Sequence, residues 1–156
     1  MDLFQFVSHP SGYWYCWAVV ALAFKMHAVT AYVIYLRRTY KVSKYAYEYG
    51  KPISEISERT QKLIEKGKPL IEHGLGLYNN DMENIYIFFA TALVFVLCDP
   101  PVVMTKTLFG IYVIGRYLHS YFYLQMKKPL RATFFGIALA SQLSILAYIA
   151  MSLLSV

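Results

Sequence analysis

Four apolar stretches, each near the length of a membrane crossing, alternate with polar segments of unequal size along the chain. The first covers about 13–36. It opens on Tyr13, Trp14, Tyr15 and Trp17 and closes on Arg37 and Arg38, an aromatic belt and a cationic stop that mark two membrane interfaces. The second covers about 82–98 and ends at Asp99-Pro100-Pro101, where a helix cannot continue. The third, about 102–126, and the fourth, about 132–154, are separated by a short connection, and the fourth carries no charge. Between the first two lies a long polar segment, 39–80. Within it Ile56, Leu63 and Ile64 recur at near-helical spacing among charges, which predicts a short surface helix over 53–66. Glu58 and Lys62 make a favourable i,i+4 pair on it, and Gly50, Pro52, Gly67 and Pro69 punctuate its ends. The pattern predicts an all-α integral membrane protein: a single domain over 1–156, built as a four-transmembrane-helix bundle with one long loop, 37–81.

Composition supports the membrane class. The 156 residues are 58% hydrophobic with a mean hydropathy of +0.41, unusual for a soluble domain of this size. A net charge of +6 does not point to nucleic acid, because the cations gather on one side of the membrane. Arg37, Arg38, Lys41, Lys44, Lys51, Arg59, Lys62, Lys66 and Lys68 lie in or beside the long loop, and Lys127, Lys128 and Arg131 in the connection before the fourth span. The other side offers only Lys106. The positive-inside rule therefore puts the loops 37–81 and 127–131 in the cytosol and both termini across the membrane. No basic region precedes the first apolar run, so that span is expected to stay as an anchor. Cys16 and Cys98, both in apolar segments, are expected to be buried small hydrophobes rather than a disulfide framework.

The candidate chemistry sits inside these spans. In YVIGRYLHSYFY (112–123), Arg116, His119 and Tyr123 fall at i, i+3 and i+7, on one stripe of a helix. Arg116 is about 15 Å and His119 about 10 Å from the cytosolic end of the span, at about 1.5 Å per residue. A buried arginine needs an anionic partner. Either an internal carboxylate, for which Glu83 is the expected choice, or an anionic ligand would supply it. Asn80, Asp81 and Glu83 upstream and Arg131 downstream complete a candidate buried anion site, and Asn80 and Glu83, at i and i+3, share a face at the cytosolic end of the second span. Arg131 follows Pro129 at the mouth of the fourth span, where helix N–H groups also favour anions, an environment that lowers a thiol pKa. Lys25 is expected to face the bundle interior, because a mid-membrane charge against lipid costs about 3 kcal/mol or more. His27 has no evident partner and reads as structural. Nucleophile elbows, Gly-rich phosphate loops and HExxH are absent, and the four histidines lack metal-ligand spacing. The polar residues gather toward one leaflet, which argues against a channel.

NNDMENIY (79–86), GRYLHSYFYL (115–124) and KPLRA (128–132) together resemble the MAPEG proteins, the membrane-associated proteins of eicosanoid and glutathione metabolism. Lys25-Met26, with Arg37 twelve residues beyond the lysine, fits the first span of the same family. The resemblance covers nearly the whole chain apart from much of 39–75. It implies four-helix protomers in a homotrimer, in the endoplasmic reticulum or a mitochondrial membrane, with glutathione held between neighbouring subunits on the cytosolic side. Arg37, Asn80, Glu83, Arg116, His119 and Tyr123 would line the glutathione site, and Arg131 would stabilise the thiolate. An apolar electrophile or lipid hydroperoxide would enter from the bilayer. The implied activity is that of a membrane glutathione transferase, extending to a glutathione peroxidase.

The chain also departs from the family pattern. Gly76 stands where an arginine is usual, Tyr78 where a histidine is, and Asn79 where the prostaglandin synthase branch has an arginine. Each lost charged hydrogen bond weakens carboxylate binding by roughly 1.5–3 kcal/mol. These positions motivate a second expectation, a structural subunit of a larger membrane assembly with a thinned glutathione clamp. Ala132, Phe135 and Leu139 stand where that synthase branch has a serine, a tyrosine and a glutamine, which tilts against a third, eicosanoid-synthase reading.

Overall fold

The apolar runs fold as helices, several of them longer than a bilayer requires. The computed structural model describes residues 3–42 and 57–155. In these the chain forms α1 (Leu3–Ser8), α2 (Pro10–Thr39), α3 (Glu58–Leu97), α4 (Val102–Leu124) and α5 (Lys128–Leu154). Three of them, α2, α3 and α5, are long and apolar enough to cross a membrane. The 23 residues of α4 reach about 35 Å at 1.5 Å per residue, also a membrane's thickness. Left-handed residues follow three helices: Lys41 (φ 54°) after α2, Asp99 (φ 48°) after α3 and Met126 (φ 56°) after α4. Such residues stop a helix while reversing the chain.

The long loop is much shorter than its composition suggests. The segment 43–56, with Gly50 and Pro52, lies outside the described residues. From Glu58 onward the chain is helical without a break through Gly67 and Pro69 into the apolar span. The expected surface helix is thus the first part of α3, and neither Gly67 nor Pro69 ends it. Pro69 removes one backbone hydrogen bond, and packing offsets that loss. The Glu58–Lys62 pair forms, at 2.5 Å.

By internal contacts the chain divides into two units, Met1–Lys25 with Asp81–Val156, and Met26–Asn80. In the second unit α2 and α3 approach closely at glycines. Gly67 lies against the Tyr40 side chain, and a Cβ on Gly74 would come within 3.2 Å of Val33. Val33, Leu36, Ile71 and Leu77 are buried there.

In the first unit, α3 presents Ile85, Phe88, Ala92 and Phe95, all at 0% exposure, as one stripe. Phe88 stacks on Tyr112 of α4 with centroids 3.9 Å apart, and Phe109 meets it edge-on at 5.4 Å. Phe95 reaches Tyr148 of α5 at 5.1 Å. Within lipid the hydrophobic effect does not drive helices together, so close packing and interhelical hydrogen bonds carry the association. Ser141 donates to the Leu108 carbonyl (2.7 Å), Tyr117 to that of Ala21 (2.8 Å) and Tyr112 to that of Asn84 (2.9 Å). Gly115 lets α5 lie directly on α4: a Cβ there would sit 3.2 Å from the Ala138 Cβ and 3.3 Å from the Phe134 carbonyl. Cys16 and Cys98 are free and half-buried, not fully buried as expected: Cys16 lies off the buried stripe of Ser11, Ala18, Leu22 and Lys25, and Cys98 follows the last residue of α3. His27 is exposed.

Candidate ligand site

The deepest feature of the first unit is a carboxylate between two cations. Asp81 accepts from Lys25 Nζ on Oδ2 at 2.5 Å and from Arg116 Nη2 on Oδ1 at 2.7 Å. All three are 1–3% exposed, so three helices, α2, α3 and α4, meet on one ion-pair network. The expectation that Lys25 faces the interior holds. The expected Arg116–Glu83 pair does not: the partner is Asp81, and Glu83 is exposed. Helix phase explains the exchange. Asp81 is in register with Ile85, Phe88 and Ala92 on the buried stripe, whereas Glu83 lies about 200° further round at 3.6 residues per turn.

One turn along α4, His119 is 3% exposed. Its Nδ1 is 3.0 Å from the backbone carbonyl of Arg131. A carbonyl can only accept, so Nδ1 carries the proton, and Nε2 of the neutral ring is the acceptor. Nε2 is buried and has no hydrogen-bond partner among the described residues. This bond ties α4 to the first turn of α5, where Pro129 near the start leaves room for the helix to begin. The Arg131 guanidinium then lies over the Tyr123 ring, 4.7 Å from its centroid. No carboxylate pairs with Arg131 among the described residues.

Three of the expected site residues are thereby brought together by direct links: His119, Tyr123 and Arg131. Arg116 and His119 both approach Phe135, at 6.0 Å and 5.7 Å. Glu83 faces away from this cluster. Arg37 and Asn80, each half-buried, belong to the Met26–Asn80 unit. Beside Arg116 opens a cleft of about 160 Å³ between α3, α4 and α5, walled by Ile87, Leu139, Leu143 and Leu146, with Tyr112 and Gln142 as its other polar residues besides Asn84. Asp81 was expected in the site beside Asn80 and Glu83 but not as the partner of Arg116, although its phase with the apolar stripe signalled it; Tyr112 and Gln142 were not anticipated as site residues.

The sequence model of the MAPEG family matches residues 15–151, from the start of α2 nearly to the end of α5. The chain belongs to the MAPEG family. The resemblance drawn from the three motifs is therefore upheld, and every buried charge described above falls within the matched region. No curated protein matches the chain. Membership of the MAPEG family, with three helices able to cross a bilayer, makes this an all-helical integral membrane protein. It also sets the chain among proteins of glutathione and eicosanoid metabolism, a family of glutathione-using transferases and synthases.

Proposed function

We propose that the protein is a membrane glutathione transferase that also reduces lipid hydroperoxides. The observation that carries this reading is Arg131. It is a cation in the first turn of a helix, steadied by the Tyr123 ring and by the His119 bond to its own carbonyl, with no carboxylate partner among the described residues. A cation there, with helix N–H groups beside it, lowers the pKa of a thiol brought near it. Glutathione supplies the nucleophilic sulfur and two carboxylates. Arg37, Asn80, Arg116, His119 and Tyr123 would hold the tripeptide through charge-assisted and neutral hydrogen bonds. Glu83 would take its amine, from an exposed position suited to a ligand shared between subunits. His119 Nε2 would accept a hydrogen bond, since its other nitrogen already donates.

The chain would act as one membrane domain with four crossings, α4 being the fourth, and would assemble as a homotrimer in the endoplasmic reticulum. The segments 37–81, the first part of α3 included, and 127–131 would face the cytosol. The apolar electrophile would arrive laterally from the bilayer. The test is a glutathione titration that follows thiolate absorbance in wild type and Arg131→Ala. A thiolate signal that survives the substitution would refute the role of Arg131.

A second reading has its own support. Arg116, the deepest expected ligand cation, is already engaged by Asp81, and Gly76, Tyr78 and Asn79 depart from the polar side chains that the family pattern has at those positions. A structural subunit of a larger membrane assembly would use the network for holding helices alone. Stoichiometric copurification with other subunits, without glutathione binding, would favour it.

A further inference from the structure

Within the Met26–Asn80 unit, the end of α2 gathers cations that no carboxylate meets. The helix closes in a Schellman turn: the Val42 N–H donates to the Arg37 carbonyl at 3.0 Å and the Lys41 N–H to that of Arg38 at 3.3 Å, with Lys41 left-handed at φ 54°. Tyr40, in this turn, lies against Gly67 of α3. That contact sets the axial register of the two helices, so Lys66 and Lys68, the neighbours of Gly67, stand level with Arg38 and Lys41. All four are exposed. None pairs with a carboxylate among the described residues, whereas Lys62 is held by Glu58. Depth follows from the apolar run. The buried stripe Val29, Val33 and Leu36 ends at Leu36, and Tyr40 lies four residues on, about 6 Å at 1.5 Å per residue. The headgroup layer is about 5–8 Å deep on each side of the hydrocarbon, so these cations stand where lipid phosphates do.

From this geometry we propose that Arg38, Lys41, Lys66 and Lys68 form a docking surface for anionic phospholipid headgroups. The surface goes beyond the transferase reading and stands apart from it, since Arg37, assigned there to glutathione, is not among the four. Glu65 and Glu72 are the exposed carboxylates of α3 near this level. Set against the four cations and Arg37, they leave a net charge of +3. The long stems of lysine and arginine lie along apolar surface while their heads reach a phosphate. A zwitterionic phospholipid brings its own ammonium to neutralise that phosphate, whereas an anionic one leaves the charge for the protein to meet. The attraction is Coulombic and fades within a Debye length.

The test is electron spin resonance of the protein reconstituted in phosphatidylcholine bilayers. Trace spin-labelled phosphatidylglycerol or phosphatidylcholine reports the lipid held against the protein. At about 0.01 M salt, where the Debye length is about 30 Å, wild type is expected to favour the phosphatidylglycerol label about threefold. At about 1 M salt, where that length is about 3 Å, the preference is expected to fall close to unity. Two double variants remove equal charge from exposed positions. Lys41→Gln with Lys68→Gln is expected to cut the preference to about 1.5-fold, while Lys127→Gln with Lys128→Gln, outside this surface, is expected to leave it unchanged. Equal holding of the two labels by wild type, or a preference that persists at high salt, would overturn the proposal. So would an equal loss in both double variants, which would make the effect one of overall charge. The salt comparison needs no variant, so a misfolded variant does not shield the proposal. Glutathione takes no part, so its failure to bind would sink the transferase reading and leave the lipid preference standing.

Discussion

Replacing Asp81 by asparagine tests the ion-pair network on which three helices converge. The carboxylate is 1% exposed and neutralises one of two buried cations, each held on its own oxygen at 2.5 and 2.7 Å. Counting these three groups, Asp81→Asn raises the buried charge from +1 to +2. The amide keeps one acceptor and turns two N–H donors toward a cation. Removing one partner of a buried pair costs about 3–5 kcal/mol. Lys25→Met should cost less, about 1–3 kcal/mol, because it leaves the Asp81–Arg116 pair whole and only one carboxylate oxygen unpaired. The double variant should be less destabilised than the sum of the singles, since the interaction is then lost only once. Unfolding in detergent micelles, by heat or by added dodecyl sulfate, reads all three. If Asp81→Asn unfolds like wild type, or Lys25→Met is the more damaging change, the network does not hold these helices and the reasoning fails.

Other outcomes follow from the same geometry. Arg131→Ala should abolish the glutathione thiolate signal while the assembly stays intact, as read by absorbance and light scattering on one preparation. His119→Phe removes the bond to the Arg131 carbonyl; it should cost about 1 kcal/mol of stability and weaken glutathione binding as well, by calorimetry. A purely structural histidine would lose only the first. Gly115→Val should cost about 1–3 kcal/mol by forcing α5 off α4, because a Cβ alone already lies 3.2 Å from Ala138. An unchanged unfolding midpoint would contradict the close approach.

The long apolar helices were legible because apolar runs bounded by aromatics, cations and prolines are the bilayer's own constraint on sequence. The Arg116–His119–Tyr123 stripe was legible because helix periodicity puts those spacings on one face. The choice between Asp81 and Glu83 was not made correctly. An Asn-Glu pair at i, i+3 suggests a face as readily as the longer register through Ile85, Phe88 and Ala92, and only the latter is buried. The extent of α3 was hidden by Gly67 and Pro69, local helix breakers overridden by tertiary contact: Gly67 packs on Tyr40, and Gly74 near Val33. Gln142 escaped notice because an uncharged polar residue barely alters the hydropathy of a span. Its hydrogen-bond partner, Thr91, is 51 positions away.

The central claim is that this MAPEG protein binds glutathione and ionises its thiol. Equilibrium titration of the purified protein with glutathione, with thiolate absorbance followed in the same cell, tests it most directly. Saturable binding with a thiolate signal at neutral pH is the expected result. Absence of binding at millimolar glutathione would contradict the claim and transfer the ion-pair network, with the cluster around Arg131, to a structural role.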